Sequence, residues 1–286
     1  MALKKRTSPT SRKAKPAAKT ILSRAKLVTD IEMIITALFY GRCGIGKTTM
    51  AGTFPAPLLV LDIGERGTDS LANTPGVSSL QINEWADIEE VYWELKAGDT
   101  GYKSVVIDAL HTMQAMAVME SKLASGKKES DQVSQRDFGQ ASGLMNQWLY
   151  NFRDLRDIGI NVVFLCHDKV QETDTEDDAD MIMPEVGPRL MPSLAGAVLG
   201  MVNVVGNTYI REVITKSKKA GQGPSREVQY CLRIGPHSYY ATKIRRPKDL
   251  PIPEFIIDPS YDKLSNVIRG ATTPPTTTRK LIKKVR

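Results

Sequence analysis

Residues 33–50 read MIITALFYGRCGIGKTTM, and this stretch decides the fold. The apolar, β-branched run Ile34 to Tyr40 is a buried-strand signal, and it leads into Gly41, Arg42, Cys43, Gly44, Ile45, Gly46, Lys47 and Thr48. That octet fits G-x-x-x-x-G-K-S/T at every required position, with Thr49 continuing into a helix. Each residue type has a chemical reason. Glycines let backbone N–H groups wrap phosphate oxygens, and the following helix N-terminus adds its dipole. Lys47 reaches the β and γ phosphates of ATP, and the Thr48 hydroxyl is a ligand for Mg2+. The stretch therefore predicts an α/β P-loop fold with a central, mostly parallel sheet.

The elements after the loop choose the branch. Leu58 to Ile63 (LLVLDI) and Ser104 to Asp108 (SVVID) are two further buried-strand runs, each reaching an acid, Asp62 or Asp108, with a helical stretch Trp85 to Lys96 between them. Either acid can serve as the Mg2+ anchor. If it is Asp62, its strand lies beside the P-loop strand, as in kinases and GTPases. If it is Asp108, another strand is inserted between them, as in ATPases that use a glutamate to activate water. Three features favour Asp108: a helical segment follows it at once, Glu65 sits in the turn GERGT after Asp62 where a general base is wanted, and no NKxD base-reading motif occurs. Glu65 is otherwise a solvated turn acid.

Downstream, Phe138, Ala141, Met145, Trp148, Phe152 and Leu155 recur at helical spacing and mark the core face of a long helix. Asn161 to Cys166 (NVVFLC) is a fourth strand. His167 follows it, at the place where such ATPases sense the γ phosphate, although an ordinary histidine at a strand end reads the same. Beyond residue 186, Val202 to Val205, Thr208 to Val213, Val228 to Ile234 and Tyr239 to Ile244 are strand-like, with a turn GQGPS at 221–225, and predict a C-terminal β-hairpin extension. Lys243, Arg245 and Arg246 at its end are candidates for reaching a neighbouring subunit's ATP. Exposed charges that discourage edge pairing are the alternative.

The succession GRCGIGKTTMAGTF, PLLVLDIGERGTDSL, SVVIDALHTM, DFGQASGLMNQWL and NVVFLCHD resembles the compact RecA-like ATPases encoded by bacteriophages, the group that includes single-strand annealing and recombination proteins. The resemblance runs from about residue 33 to about 246. It implies a RecA-like core, Mg2+-dependent ATP hydrolysis, a homo-oligomer and work on single-stranded DNA in recombination, annealing or repair, with a single-strand DNA-binding protein as a further partner. Lys47 and Thr48 map to its Walker A motif, Asp108 to Walker B, Glu65 to the catalytic glutamate and His167 to the sensor. Two departures stand out. Glu65 follows Asp62 by three residues where the group has two, so the turn must absorb one more. The loop after His167, DNA-facing in RecA-like recombinases, here holds Glu172, Asp174, Glu176, Asp177, Asp178 and Asp180, which repel phosphate. Either that loop faces elsewhere as a solvated loop, or DNA contact falls to the other loop, with Lys127, Lys128 and Arg136, and to the chain's ends.

Charge supports that division. The 286 residues carry 39 basic and 32 acidic side chains, a net +7. Residues 1–26 and 271–286 hold fourteen of the cations and no acid, so the stretch 27–270, with 25 basic against 32 acidic residues, is net −7. The composition places disordered basic tails at 1–28 and 269–286 around a domain at 29–268, with the tails as a grip on nucleic acid or as solubilising segments. Apolar stretches of six to nine residues fall far short of the ~20 that a bilayer requires, so no membrane role is expected. Cys43, Cys166 and Cys231 form no CxxC pair and fit a reducing cytoplasm, that of the host if the chain is phage-encoded. With His111, His167 and His237 equally scattered, spacing shows no metal cluster.

The same motif leaves other classes open. A partition-type ATPase has a lysine where Arg42 stands, and its Asp-rich motif is absent here. A small-molecule kinase wants an Arg-rich lid, whereas the insert at 172–180 is acidic. A DNA-packaging motor shares the active site and differs in the form of its DNA.

Overall fold

A computed structural model of the chain describes residues 32–170, 186–215, 225–247 and 249–270, with Ala25 and Leu27. Most of the N-terminal tail, residues 271–286, the acidic stretch 172–180 and most of the turn at 221–225 lie outside the described residues, and with them the expectations placed there; Arg269, expected in the C-terminal tail, ends a helix instead.

From Ile34 onward the chain follows the order β1 (Thr36–Tyr40), α1 (Lys47–Ala51), β2 (Leu58–Asp62), β3 (Val77–Gln81), α2 (Trp85–Ala97), β4 (Ser104–Asp108), α3 (Leu110–Ala124), α4 (Gln135–Asp154) and β5 (Asn161–Cys166). It continues through β6 (Asp168–Val170), β7 (Val186–Pro188), α5 (Pro192–Met201), β8 (Val204–Thr215), β9 (Ser225–Arg233), β10 (Lys243–Ile244), β11 (Phe255–Ile257) and α6 (Tyr261–Arg269). Among the described residues the main sheet is ordered β11-β9-β8-β1-β5-β4-β2-β3, with β10 paired to β8. The pairs from β8 through β1 to β3 are parallel, and β9, β10 and β11 join antiparallel. This is the α/β fold expected, with β5 inserted between the P-loop strand and β4.

The inner strands β1, β2, β4 and β5 are buried at every position and mostly apolar because both faces are covered. Leu38 and Tyr40 of β1, with Phe164 of β5, join one core with Trp148 and Phe152 of α4 and Leu194 of α5. On the opposite face Phe39 meets Phe54, whose ring packs edge-on against Tyr261 at the start of α6. Burying each such side chain contributes about 1.5–3 kcal/mol, so the two faces hold the parallel strands and fix their register. In that register Asp62 lies opposite Asp108, and Asp108 opposite Leu165. The C-terminal ends of β2, β4 and β5 therefore form one rim.

Several elements differ from the sequence reading. Val204 and Val205, from the expected strand Val202 to Val205, join Thr208 to Val213 in one strand, β8, because Gly206 and Asn207 continue its pairing with β1. The expected strand Tyr239 to Ile244 shrinks to two residues. β3 was not expected: its sequence VSSLQ is half polar because, at the sheet edge, most of it is exposed. α5 and α6 were also missed. Pro192 opens α5, and the Ser260 hydroxyl accepts from Lys263 N to cap α6. α4 is the expected long helix, started by Ser134, whose N–H donates to the Asp137 carboxylate at 2.7 Å. Of its predicted core face, Ala141 to Leu155 are buried, while Phe138 is exposed. Among the described residues no helix is long and apolar enough to cross a membrane.

Candidate functional site

The loop Gly41–Gly46 leaves β1 at the rim of the sheet. A Cβ at Gly41 would lie 2.6 Å from the backbone oxygen and the hydroxyl of Thr208, so only glycine lets β8 come this close. At Gly44, by contrast, the corresponding space is open, which leaves the outer side of the loop clear. The Lys47 side chain folds back beneath the loop, its Nζ donating to Gly41 O at 2.9 Å and Arg42 O at 2.8 Å. An ammonium has three N–H donors, so one remains for a ligand. Burial pushes the Lys47 pKa down, and Asp108 pulls it back up.

Thr48 and Asp108 are joined directly, Thr48 Oγ1 donating to Asp108 Oδ2 at 2.8 Å. Burial raises the Asp108 pKa to about 6; the Thr48 hydrogen bond and Lys47 oppose that rise, while Glu65 and Asp62 add to it. The pair offers hard oxygen donors beside the phosphate loop, and Asp108 is a carboxylate whose charge is poorly compensated by protein alone. Both properties suit Mg2+.

Asp62, the other candidate, has a different occupation. Its Oδ1 accepts the Arg66 N–H at 2.9 Å and so ties down the turn that carries Glu65. The extra residue of that turn is absorbed by two left-handed conformations, Gly64 at φ 80° and Arg66 at φ 50°. The turn aims Glu65 inward, with Oε1 3.0 Å from His111 Nε2 and Oε2 3.7 Å from His167 Nε2. The two imidazoles stack with centroids 4.2 Å apart. Burial lowers both histidine pKa values, that of His111 to about 4, with the neighbouring ring adding to the effect there and Glu65 opposing it.

A cavity of about 300 Å3 collects these groups: Cys43, Gly44, Gly46, Lys47, Thr48 and Thr49 from the loop side, and Glu65, Asp108 and His167 from the rim. His111 was missed by sequence reasoning. The signal was present, because it stands three residues after Asp108 in the first turn of α3, but nothing in the sequence says which strand tip it faces. A second cavity of about 440 Å3 adjoins the loop at Gly44, Ile45, Gly46 and Thr49 and is closed by Thr208, Tyr230, Cys231, Asp258 and Pro259.

Other expected residues lie elsewhere. Arg42 lines a third cavity with Asp168, Lys169 and Arg233, whose guanidinium sits 4.2 Å from the rings of Tyr209 and Tyr240. Lys243 and Arg245 are at the far end of the sheet: Lys243 Nζ donates to Leu199 O and Gly200 O, and Arg245 Nη2 donates to Gly200 O at 2.9 Å, capping the carbonyls that end α5. Arg246 follows them, its Nε buried without a hydrogen-bond partner. Within one protomer none of the three lines the P-loop cavity. Of the expected DNA-facing loop, Lys127 is held by Asp137 at 2.5 Å, while Lys128 and Arg136 are exposed.

A KaiC-like protein from the hyperthermophilic archaeon Pyrococcus horikoshii is similar in structure, with a TM-score of 0.37 and 13% identity over 79% of this chain and 89% of that one. No curated protein matches the chain. A family model described as an AAA domain matches residues 34–246, the span that runs from the P-loop strand to the cations after β10. The chain belongs to this AAA-domain family, and the fold and loop described above are those of an α/β P-loop ATPase domain.

Proposed function

We propose that the protein binds ATP with Mg2+, hydrolyses it, and does so as a homo-oligomer on single-stranded DNA, in recombination, annealing or repair of the bacteriophage kind. The observation that carries the catalytic part is the single cavity in which Lys47 and Thr48 face Glu65, Asp108 and His167. Loop N–H groups and the free Lys47 donor bind and orient the phosphates. The adjoining cavity closed by Tyr230 and Pro259 suits the nucleoside end. Thr48 and, through water, Asp108 would hold Mg2+, which supplies charge neutralisation on the phosphate oxygens. Glu65 then accepts the proton of the attacking water. His111 fixes the direction of its carboxylate, and His167, next to it at the rim, is placed to register the terminal phosphate.

The DNA part of the reading is supported by the charge distribution and by the family resemblance. Fourteen cations without an acid at the two ends of the chain offer counterion-releasing contacts to phosphate, which the body, at net −7, does not. Lys243, Arg245 and Arg246 remain candidates for the active site of an adjacent subunit, which a cap on α5 in their own protomer does not preclude.

The test is the Mg2+-dependent ATPase rate of the full chain with single-stranded DNA, double-stranded DNA and none, beside Lys47→Ala. Stimulation by single-stranded DNA is expected. Absence of activity under all conditions would sink the catalytic reading, and equal rates with and without DNA at low salt would sink the DNA reading. Stimulation by double-stranded DNA alone would assign the domain to a packaging-type motor.

A further inference from the structure

We propose that Glu65, His111 and His167 form a site for a borderline divalent cation of the zinc class, distinct from the Thr48–Asp108 pair, and that filling it withdraws Glu65 from hydrolysis. The second clause rests on the role proposed above for Glu65; the first does not.

The three residues are far apart in the sequence and come together because β2, β4 and β5 are adjacent and end on one rim. One ligand atom from each lies within 4.8 Å of the others. Zinc bonds of about 2.0–2.2 Å at tetrahedral angles separate two ligand atoms by roughly 3.3–3.6 Å. The observed 3.0 Å and 3.7 Å from the Glu65 oxygens to the two Nε2 atoms bracket that span, and the stacked rings, with centroids 4.2 Å apart, must splay for both lone pairs to meet one ion. Two imidazoles and one carboxylate select zinc, cobalt or nickel over Mg2+, which prefers six oxygens. Burial disfavours the charged form of both imidazoles, and the neutral form is the one that ligates. The ligands are 13%, 22% and 23% exposed, so a cation can enter, and Glu65 and His167 turn the fourth position toward the P-loop cavity.

One feature sets the strength of the site. With Nε2 of His111 on the metal, the ring proton sits on Nδ1, which is buried and has no hydrogen-bond partner. Lacking that outer partner costs about 10–100-fold in affinity, which makes this a reversible, regulatory site rather than a structural one. Without the cation, His111 Nε2 faces Glu65 Oε1 at 3.0 Å; ligation moves the ring proton to Nδ1 and gives the carboxylate to the metal.

The experiment uses untagged full-length protein, stripped with chelator and kept in excess Mg2+, titrated with Co2+ while its visible d–d absorption is read. One equivalent of Co2+ should bind and be displaced by Zn2+. The band should vanish in His111→Asn, His167→Asn and Glu65→Ala, and persist in Cys43→Ser and His237→Asn, with circular dichroism confirming that each variant is folded. No band in the folded wild type, a band that survives His111→Asn, or one lost in Cys43→Ser overturns the site. Zn2+ should lower the Mg2+-ATPase rate about a hundredfold, the contribution of a general base. If Co2+ binds as described and an active ATPase ignores Zn2+, the inhibitory clause fails and Glu65 is not the base.

Discussion

Thr48 Oγ1 donates to Asp108 Oδ2 across 2.8 Å, although 60 residues separate the two side chains in the sequence. The contact brings Asp108 onto the P-loop threonine, while Asp62, its register neighbour, gives its Oδ1 to the Arg66 N–H instead. The rest of the site is arranged around that division of labour.

Removing the Lys47 ammonium should weaken phosphate binding. In Lys47→Ala, ATP affinity measured by calorimetry is expected to fall and turnover to drop by about 10²–10³, as for other preorganised charge donors in catalytic sites. A Lys47→Ala protein that hydrolyses ATP at the wild-type rate would remove this loop from the reaction.

Glu65→Gln keeps the size and the hydrogen-bond reach of the side chain and removes its basicity. Nucleotide affinity should be unchanged while kcat falls by about 10²–10⁴. A parallel loss of binding would place Glu65 in ground-state recognition instead.

Asp62→Ala frees the Arg66 N–H and relaxes a turn that contains two left-handed residues. A loss of about 0.5–1.5 kcal/mol in stability is expected from the lost part-buried hydrogen bond, together with a lower kcat at unchanged nucleotide affinity, because Glu65 loses its direction. Chemical denaturation and steady-state kinetics on the same preparation separate the two effects.

Gly41→Ala meets the backbone of Thr208 at 2.6 Å, a neighbour that cannot rotate away. The expected cost is about 1–3 kcal/mol from forced displacement of β8 against the loop, read as a lowered Tm with weakened ATP binding. An unchanged Tm would show that β8 and the loop can separate freely.

His111 predicts a pH dependence of stability. Its folded-state pKa of about 4 lies below the ordinary histidine value near 6.5, so between those values the unfolded chain binds a proton that the folded protein refuses. Burial dominates, with His167, Arg189 and Lys47 acting in the same direction and Glu65 against them. Stability is therefore complete above about pH 6.5 and declines as pH falls toward 4, by on the order of 2 kcal/mol. Denaturation in chelator across that range should show the decline in wild type and a shallower one in His111→Asn.

Much of this site was legible in the sequence because its parts are local signals. The P-loop is a contiguous motif whose glycines and lysine must stand at fixed spacing. Asp62, Asp108 and His167 each end or follow a short apolar run, and buried parallel strands are apolar throughout. Even Glu65 could be placed from the turn that follows β2. The weaker expectations failed where burial and pattern part company: β3 is a polar edge strand, and Phe138 sits at a core spacing yet faces outward, while its neighbour Asp137 is the buried residue of that turn.

What the sequence by itself determined is the set of strand tips and the phosphate loop, since strand and turn propensities act over a few residues. Which tips stand side by side was decided by the order of strands in the sheet, a property of long-range packing that no local pattern encodes. That order put β5 between β1 and β4, joined Thr48 to Asp108, and brought His111 and His167 onto Glu65, residues whose spacing alone showed no cluster.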